Sequence, residues 1–234
     1  MTTSAPTSRC AITRPERVAS RRGAALWLLL GALAAGPAAA DCRDLAAPRP
    51  VPTAAEGQWS LATFNLWRLR DTEKNSPIDR PLDDAVYQAR LDALAGYIVD
   101  TLKAPVLLAV QEVENLAILE QLAQRVTAQG GPRYRALLLE GHDPAGMDVA
   151  LLHRAPAEVA DVRALFADQR FRGQPLFSRP PLAVTLTAPR DMTLVIVHLR
   201  SANGLGEKAW VAEKRRRQAT GLAQWSRAGS DQAL

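Results

Sequence analysis

The chain has 234 residues, 47% of them apolar and 23% charged, with two cysteines. That balance fits one large or two small globular domains and excludes intrinsic disorder, collagen-like repeats and a disulfide-stapled miniprotein. The formal charge is +5, but Arg9, Arg14, Arg17, Arg21 and Arg22 against Glu16 place +4 of it in residues 1–40, leaving 24 bases and 23 acids in the remainder. Basicity therefore belongs to the leader, and the overall charge gives no argument for a polyanionic partner.

Residues 24–36 (AALWLLLGALAAG) are an apolar run of 13, preceded by Arg21-Arg22 and followed by Pro37 and Ala38-Ala39-Ala40. This is the three-part pattern of a cleavable secretory signal over residues 1–40, with cleavage expected between Ala40 and Asp41. The run falls short of the roughly 20 residues needed to span a bilayer, although an amino-terminal anchor stays open as the alternative. Ser20-Arg21-Arg22 loosely resembles a twin-arginine signal, so the export route is open as well. The expected location is periplasmic or secreted, without stable membrane association after cleavage. Asp41 argues against lipid attachment at Cys42. Cleavage would remove Cys10 and leave Cys42 unpaired in an oxidising compartment.

Residues 41–58, with Pro48, Pro50 and Pro52, predict an extended lead-in, and order is expected from Trp59, opening a domain over residues 59–234. Residues 59–67 (WSLATFNLW) predict a strand. Tyr87, Leu91, Leu94, Ile98 and Leu102 predict a helix over 84–103, and the continuous apolar run PVLLAV at 105–110 predicts a buried strand. A second helix over 115–129 is stopped by Gly130-Gly131-Pro132. Residues 134–139, 148–153, 181–187 and 192–199 then read as strands with no helix between them. A last helix is predicted over 206–228, with Trp210, Val211, Ala219, Leu222 and Trp225 buried. Its Lys214-Arg215-Arg216-Arg217 run reads as a solvated face, a contact to a polyanion being the alternative. Strand–helix units followed by a strand-rich stretch predict an α/β protein with mixed sheets.

Polar residues at the ends of apolar strands call for a partner, because desolvating an amide or carboxylate is costly. Asn65 in TFNLW, Gln111-Glu112 after LLAV, and His198 in LVIVHLRS are such residues. In this order they resemble the endonuclease/exonuclease/phosphatase superfamily, which includes deoxyribonuclease I, abasic-site endonucleases, neutral sphingomyelinases and inositol-polyphosphate phosphatases. The family's strand ending in asparagine matches Thr63-Phe64-Asn65, and its strand ending in Gln-Glu matches Val110-Gln111-Glu112. Its Gly-x-Asp-Val-Ala strand matches Gly146-Met147-Asp148-Val149-Ala150. Ser178-Arg179-Pro180 resembles its arginine segment, Val197-His198-Leu199-Arg200-Ser201 its histidine motif, and Arg217-Gln218-Ala219 the helix that follows. The likeness runs from about Trp59 to Trp225.

The resemblance implies a deoxyribonuclease I-like four-layer α/β/β/α sandwich with mixed sheets, monomeric when complete. It also implies a divalent-metal phosphodiesterase, foremost a nuclease with a nucleic-acid substrate. Glu112 would be the direct ligand of Mg²⁺ or Mn²⁺, hard cations that favour carboxylate and water. Asn65 would hold a water or a phosphate oxygen beside the metal. His198 would donate to the scissile phosphate, with Arg179 as a second cationic donor and Asp148 as a supporting carboxylate. Such groups act where negative charge develops on the phosphate oxygens. Gln111 and Glu114 would only support these residues. The loop over 141–146, with His142 and Asp143, either reaches substrate or is solvated, and His153 reads as a packing residue.

Two family motifs are absent: a strand ending in Gly-Asp-Phe-Asn and a terminal Asp-His pair, which together position and activate the attacking water. The chain ends at Leu234 about where the first of them would start. The expectation is therefore a carboxy-truncated member, with missing C-terminal strands, an exposed apolar edge and sheet face, and no turnover by the 234-residue chain itself. A non-catalytic remnant or binding protein of the same fold, or a lipid or phosphosugar phosphodiesterase, is the alternative.

Overall fold

Most helices and strands follow the hydrophobic pattern, the strand Asp148–His153 included, while the two-residue strands Arg170–Phe171 and Gln174–Pro175 and the strand Glu158–Ala164 do not. The computed structural model describes residues 50–75, 78–203, 206 and 208–229. The leader, the Ala40–Asp41 junction, both cysteines and most of the lead-in lie outside the described residues.

The first sheet has the order β1-β2-β4-β3, where β1 is Leu61–Leu69, β2 Leu107–Val113, β3 Arg135–Leu138 and β4 Asp148–His153. β1 and β2 are parallel, so the chain crosses over between them through helix α1 (Asp84–Gly96). The other pairs are antiparallel. Alternate residues of β2 and β4 serve two cores. Leu108, Val110, Ala150 and Leu152 pack under α1 and α2 (Leu116–Ala128), against Leu91, Leu119 and Leu122. Leu107, Ala109, Val149 and Leu151 face a second sheet. Burial on both faces is why these strands read as continuous apolar runs instead of alternating ones.

That second sheet is an antiparallel β5-β8-β9 arrangement, with β5 at Glu158–Ala164, β8 at Leu182–Ala188 and β9 at Met192–Ile196. Leu182, Val184, Leu186 and Ile196 supply its inner face. The protein is thus a mixed α/β structure, with two sheets sharing one apolar layer and α1 and α2 on the far side of the first. β5 escapes the sequence pattern because register shifts at Val159 break its alternation. A short hairpin, β6 (Arg170–Phe171) with β7 (Gln174–Pro175), joins β5 to β8. Its turn residues Arg172 (φ 52°) and Gly173 (φ 75°) are both left-handed, the backbone that tight two-residue hairpins require.

Several predicted bounds move. The first long helix is α-helical only to Gly96, and a five-residue π-helical turn, Tyr97–Thr101, follows before the left-handed Lys103 and Ala104 end it. β2 continues through Gln111 and Glu112, while β9 stops at Ile196, leaving His198 just beyond the strand. α3 (Ala209–Ala228) buries Val211, Lys214 and Gln218, and Ala219, expected inside, is exposed. Its basic run therefore does not form one solvated face. Lys214 Nζ donates to the Pro175 carbonyl at 2.8 Å and Gln218 Nε2 to Leu176 at 2.8 Å, whereas Arg216 and Arg217 pair with Glu213 at the surface.

Among the described residues β1 and β9 are edge strands, and a largely apolar recess of about 320 Å³ lies between them, lined by Leu61, Ala109, Leu194 and Val197 among others. After β1, Arg70 and Asp79 form a buried ion pair at 3.5 Å. Asp79→Ala is expected to lower stability by about 3–5 kcal/mol, because it strands a buried guanidinium. Urea unfolding measures it, and a loss under about 1 kcal/mol, the range of a solvated pair, would contradict that expectation.

Candidate active site

Asn65 and Glu112 stand side by side because β1 and β2 are in parallel register at Asn65 and Gln111, and both strands bulge immediately afterwards. In β1 the bulge places Trp67 (φ 49°) and Arg68 (φ 58°) in the left-handed region; in β2 it does the same to Glu112 (φ 62°). A glutamate held there is strained, a conformation that persists only where surrounding contacts impose it. The bulge re-aims the Glu112 side chain toward Asn65. Asn65 Nδ2 donates to Glu112 Oε1 at 3.2 Å, while Asn65 Oδ1 accepts from the Trp67 amide at 2.7 Å. From α1, Arg90 donates to the Leu66 carbonyl at 2.7 Å and to that of Trp67, clamping the β1 bulge from behind. Gln111 holds β1 lower down through Thr63 Oγ1, at 3.0 Å.

His198 enters from the end of β9, its Nε2 3.7 Å from Glu112 Oε1. At that distance there is charge contact without a hydrogen bond. Nδ1 of His198 and Nε of Arg179 are both buried with no hydrogen-bond partner among the described residues. Burial and the Arg179 guanidinium pull the His198 pKa below its ordinary 6.5, against the opposing charges of Glu112 and Asp143. Asp143, in the loop after Gly141, accepts from the Met147 amide at 3.2 Å.

Asp148 lies across from Val113 at the start of β4, buried, and among the described residues its carboxyl meets the Gly141 amide and Glu140. Burial pushes its carboxyl up to about 7, with Glu140 and Asp143 adding to the rise and the Gly141 amide opposing it. Gly141 is required here: a Cβ on it would fall 2.4 Å from Asp148 Oδ1 and 3.0 Å from the Ser178 carbonyl. Between about pH 4 and 7 the folded chain keeps a proton on Asp148 that the unfolded chain has released. Stability should therefore decline as pH rises through this window, and Asp148→Asn should flatten the decline. Urea unfolding at pH 4.5, 6 and 8 checks this; equal slopes in both proteins would refute it.

Of the expected site residues, the structure brings Asn65, Glu112 and His198 into contact and sets Arg179 within electrostatic reach of His198. Glu114 is buried and accepts from the Asp71 amide at 3.0 Å, tying the segment after β1 to the end of β2. Arg90 was not legible as a site residue; its only signal is a cation beside the apolar stripe of α1. His153 is buried at the far end of β4, beside a cavity of about 1240 Å³ whose lining does not include Glu112. Among the described residues no group of three His, Cys, Asp or Glu side chains is placed to hold a metal. One carboxylate with an amide beside it suits Mg²⁺ or Mn²⁺, which bind through one or two carboxylates and keep waters, and does not suit an all-protein Zn²⁺ cage.

No known family profile and no curated protein matches the chain. Among solved structures, TDP2 from Caenorhabditis elegans is similar at 20% identity and a TM-score of 0.35, over 51% of this chain and 32% of its own. A conserved protein of unknown function from Enterococcus faecalis is similar at 19% identity and a TM-score of 0.37, over 61% and 54%. The chain spans about a third of the first and about half of the second. Likeness at this level carries no functional argument, so function is read from the chain's own residues.

Proposed function

We propose that this protein is an exported, divalent-metal-dependent phosphodiesterase acting on nucleic acid, built on a deoxyribonuclease I-like α/β/β/α sandwich. The observation that carries this reading is the meeting of Asn65, Glu112 and His198, from β1, β2 and the segment after β9, around one carboxylate oxygen. Such a cluster has no packing purpose: it forces a glutamate into a left-handed bulge and leaves a buried imidazole nitrogen without a partner.

In this reading Glu112, steadied by Asn65, holds Mg²⁺ or Mn²⁺, and the bound ion supplies Lewis-acid polarisation of a phosphoryl oxygen. Arg179 and His198 take the other phosphate oxygens. The buried Arg179 Nε has no partner among the described residues, and a phosphate oxygen would supply its acceptor and offset the Arg179 charge that lowers the His198 pKa. Asp148 acts at one remove, through Gly141, by holding the loop that carries Asp143 beside Ser178.

The test is hydrolysis of bis-p-nitrophenyl phosphate, oligonucleotides and plasmid DNA with Mg²⁺ or Mn²⁺ and with EDTA, by the 234-residue chain and by any longer product of its gene. Metal-dependent cleavage of nucleic acid is expected from a product that also carries the Gly-Asp-Phe-Asn and Asp-His motifs. Turnover confined to sphingomyelin vesicles would move the substrate class to lipid, and none by either protein would leave a binding protein. Export is tested by amino-terminal sequencing of protein recovered outside the cytoplasm, which should begin at Asp41; a membrane-held species that starts at Met1 would overturn it.

A further inference from the structure

Beside the site, and not used by the proposed chemistry, a cavity of about 420 Å³ opens between the β6–β7 hairpin and α3. Its lining combines two aromatic rings, Phe171 and Trp210, with the side chains of Arg172, Arg200, Lys214 and His142, and no carboxylate among the described residues faces it. Arg200 lies over the Trp210 ring at 5.5 Å, and Arg172 and Arg217 lie over Phe171 at 5.6 and 5.2 Å. The arrangement is held in place before any ligand arrives. Gln218 of α3 accepts from the Arg200 amide at 3.0 Å, Arg215 donates to the Arg200 carbonyl, and Lys214 is fixed by the Pro175 carbonyl.

The cavity adjoins the phosphate site through two short links: Arg200 is two residues from His198, and Ser178, in the lining, precedes Arg179. Burial and then the charges of Arg200 and Arg179 pull Lys214 below its ordinary pKa, so these cations crowd one another. Crowded cations favour an anion, but a bare anion makes no use of the stacked guanidinium and ring planes of Arg200 with Trp210 and of Arg172 with Phe171. A ligand that meets both demands is a planar ring carrying phosphate, which stacks on aromatic and guanidinium planes while its phosphates meet the cations. The volume lies within the roughly 300–1,000 Å³ of small-ligand pockets. In a duplex the base is inside the stack and reaches such a pocket only by flipping out, at a cost of a few kcal/mol.

We infer that this cavity is a base-stacking subsite for the nucleotide next to the scissile phosphate, so that the protein selects single-stranded nucleic acid; the placement beside the scissile bond rests on the phosphodiesterase reading above. The test is equilibrium binding by fluorescence anisotropy in EDTA, using the 234-residue chain and three labelled probes of equal length: oligo(dT), an abasic backbone and a duplex. Oligo(dT) is expected to bind about tenfold tighter than the abasic backbone, the scale of one stacked base, and tighter than the duplex. Phe171→Leu and Trp210→Leu should each remove most of that preference and leave abasic binding unchanged. Arg172→Gln, at an exposed turn, should weaken all three probes alike and reduce the salt dependence.

Equal binding of base and abasic probes by the unaltered protein, preference for the duplex, or a parallel loss for both single-stranded probes in folded Phe171→Leu and Trp210→Leu proteins would overturn the inference. Bis-p-nitrophenyl phosphate has no base, so its metal-dependent hydrolysis reports on the parent reading separately. Base preference without that hydrolysis would keep the subsite and remove only its place beside a scissile bond.

Discussion

In a product that carries the water-activating motifs, Glu112→Gln is expected to lower metal-dependent phosphodiester cleavage by on the order of 10³-fold or more, since losing the ligand charge removes several kcal/mol of transition-state stabilisation. The fold should survive. The substitution keeps side-chain volume and an oxygen able to accept from Asn65 Nδ2, and the β2 bulge is held by its neighbours. Two readouts do not depend on turnover. Mn²⁺ binding, followed by electron paramagnetic resonance, should weaken sharply. The His198 pKa, followed by NMR titration, should fall further below 6.5, because the Glu112 charge now opposes the depression caused by burial and Arg179. Retained turnover with unchanged metal dependence, or an unmoved His198 titration, would remove Glu112 from the centre of the site.

His198→Ala is expected to lower turnover by roughly 10²–10⁴-fold, the usual worth of a positioned proton-transfer or donor group, with little change in melting temperature. The physical ground is the buried Nδ1: removing a polar nitrogen that has no partner among the described residues costs the fold little and relieves desolvation. Ile196, buried in the layer between the sheets, already anchors this strand end. The loss should appear mainly in kcat if the imidazole acts on the transition state, and in KM if it only binds substrate phosphate. A fall in stability matching the fall in activity would make His198 a structural residue.

Much of the first half of the molecule was legible because its local signals agree with its tertiary role. Asn115 caps α2 through the Ile118 amide, Ile118, Leu119, Leu122 and Val126 repeat at helical spacing, and Gly130 at φ 84° follows its end. Asn65, Glu112 and His198 were likewise readable as polar residues at the ends of apolar strands, a burial that local structure alone does not justify. The second half was harder. β5 carries two bulges that erase its alternation, and the two-residue strands around Arg172 and Gly173 are too short to show a period. Lys214 was misread as solvated because nothing local shows that the Pro175 carbonyl waits over that face of α3.

The sequence by itself determined the leader pattern, the α/β alternation and the identities of the polar strand-end residues, because each is written in spacing over a few neighbouring positions. Tertiary structure alone decided which of those residues meet. The parallel register of β1 and β2 sets Asn65 beside Glu112, the bulges turn both side chains to one side, and Arg90 braces them from a helix. It also separated Asp148 from them, turning its carboxyl to Gly141 and Glu140, and gathered Phe171, Trp210 and Arg200 around one cavity. Such meetings depend on register and packing between segments far apart in the chain, which hydrophobic periodicity does not encode.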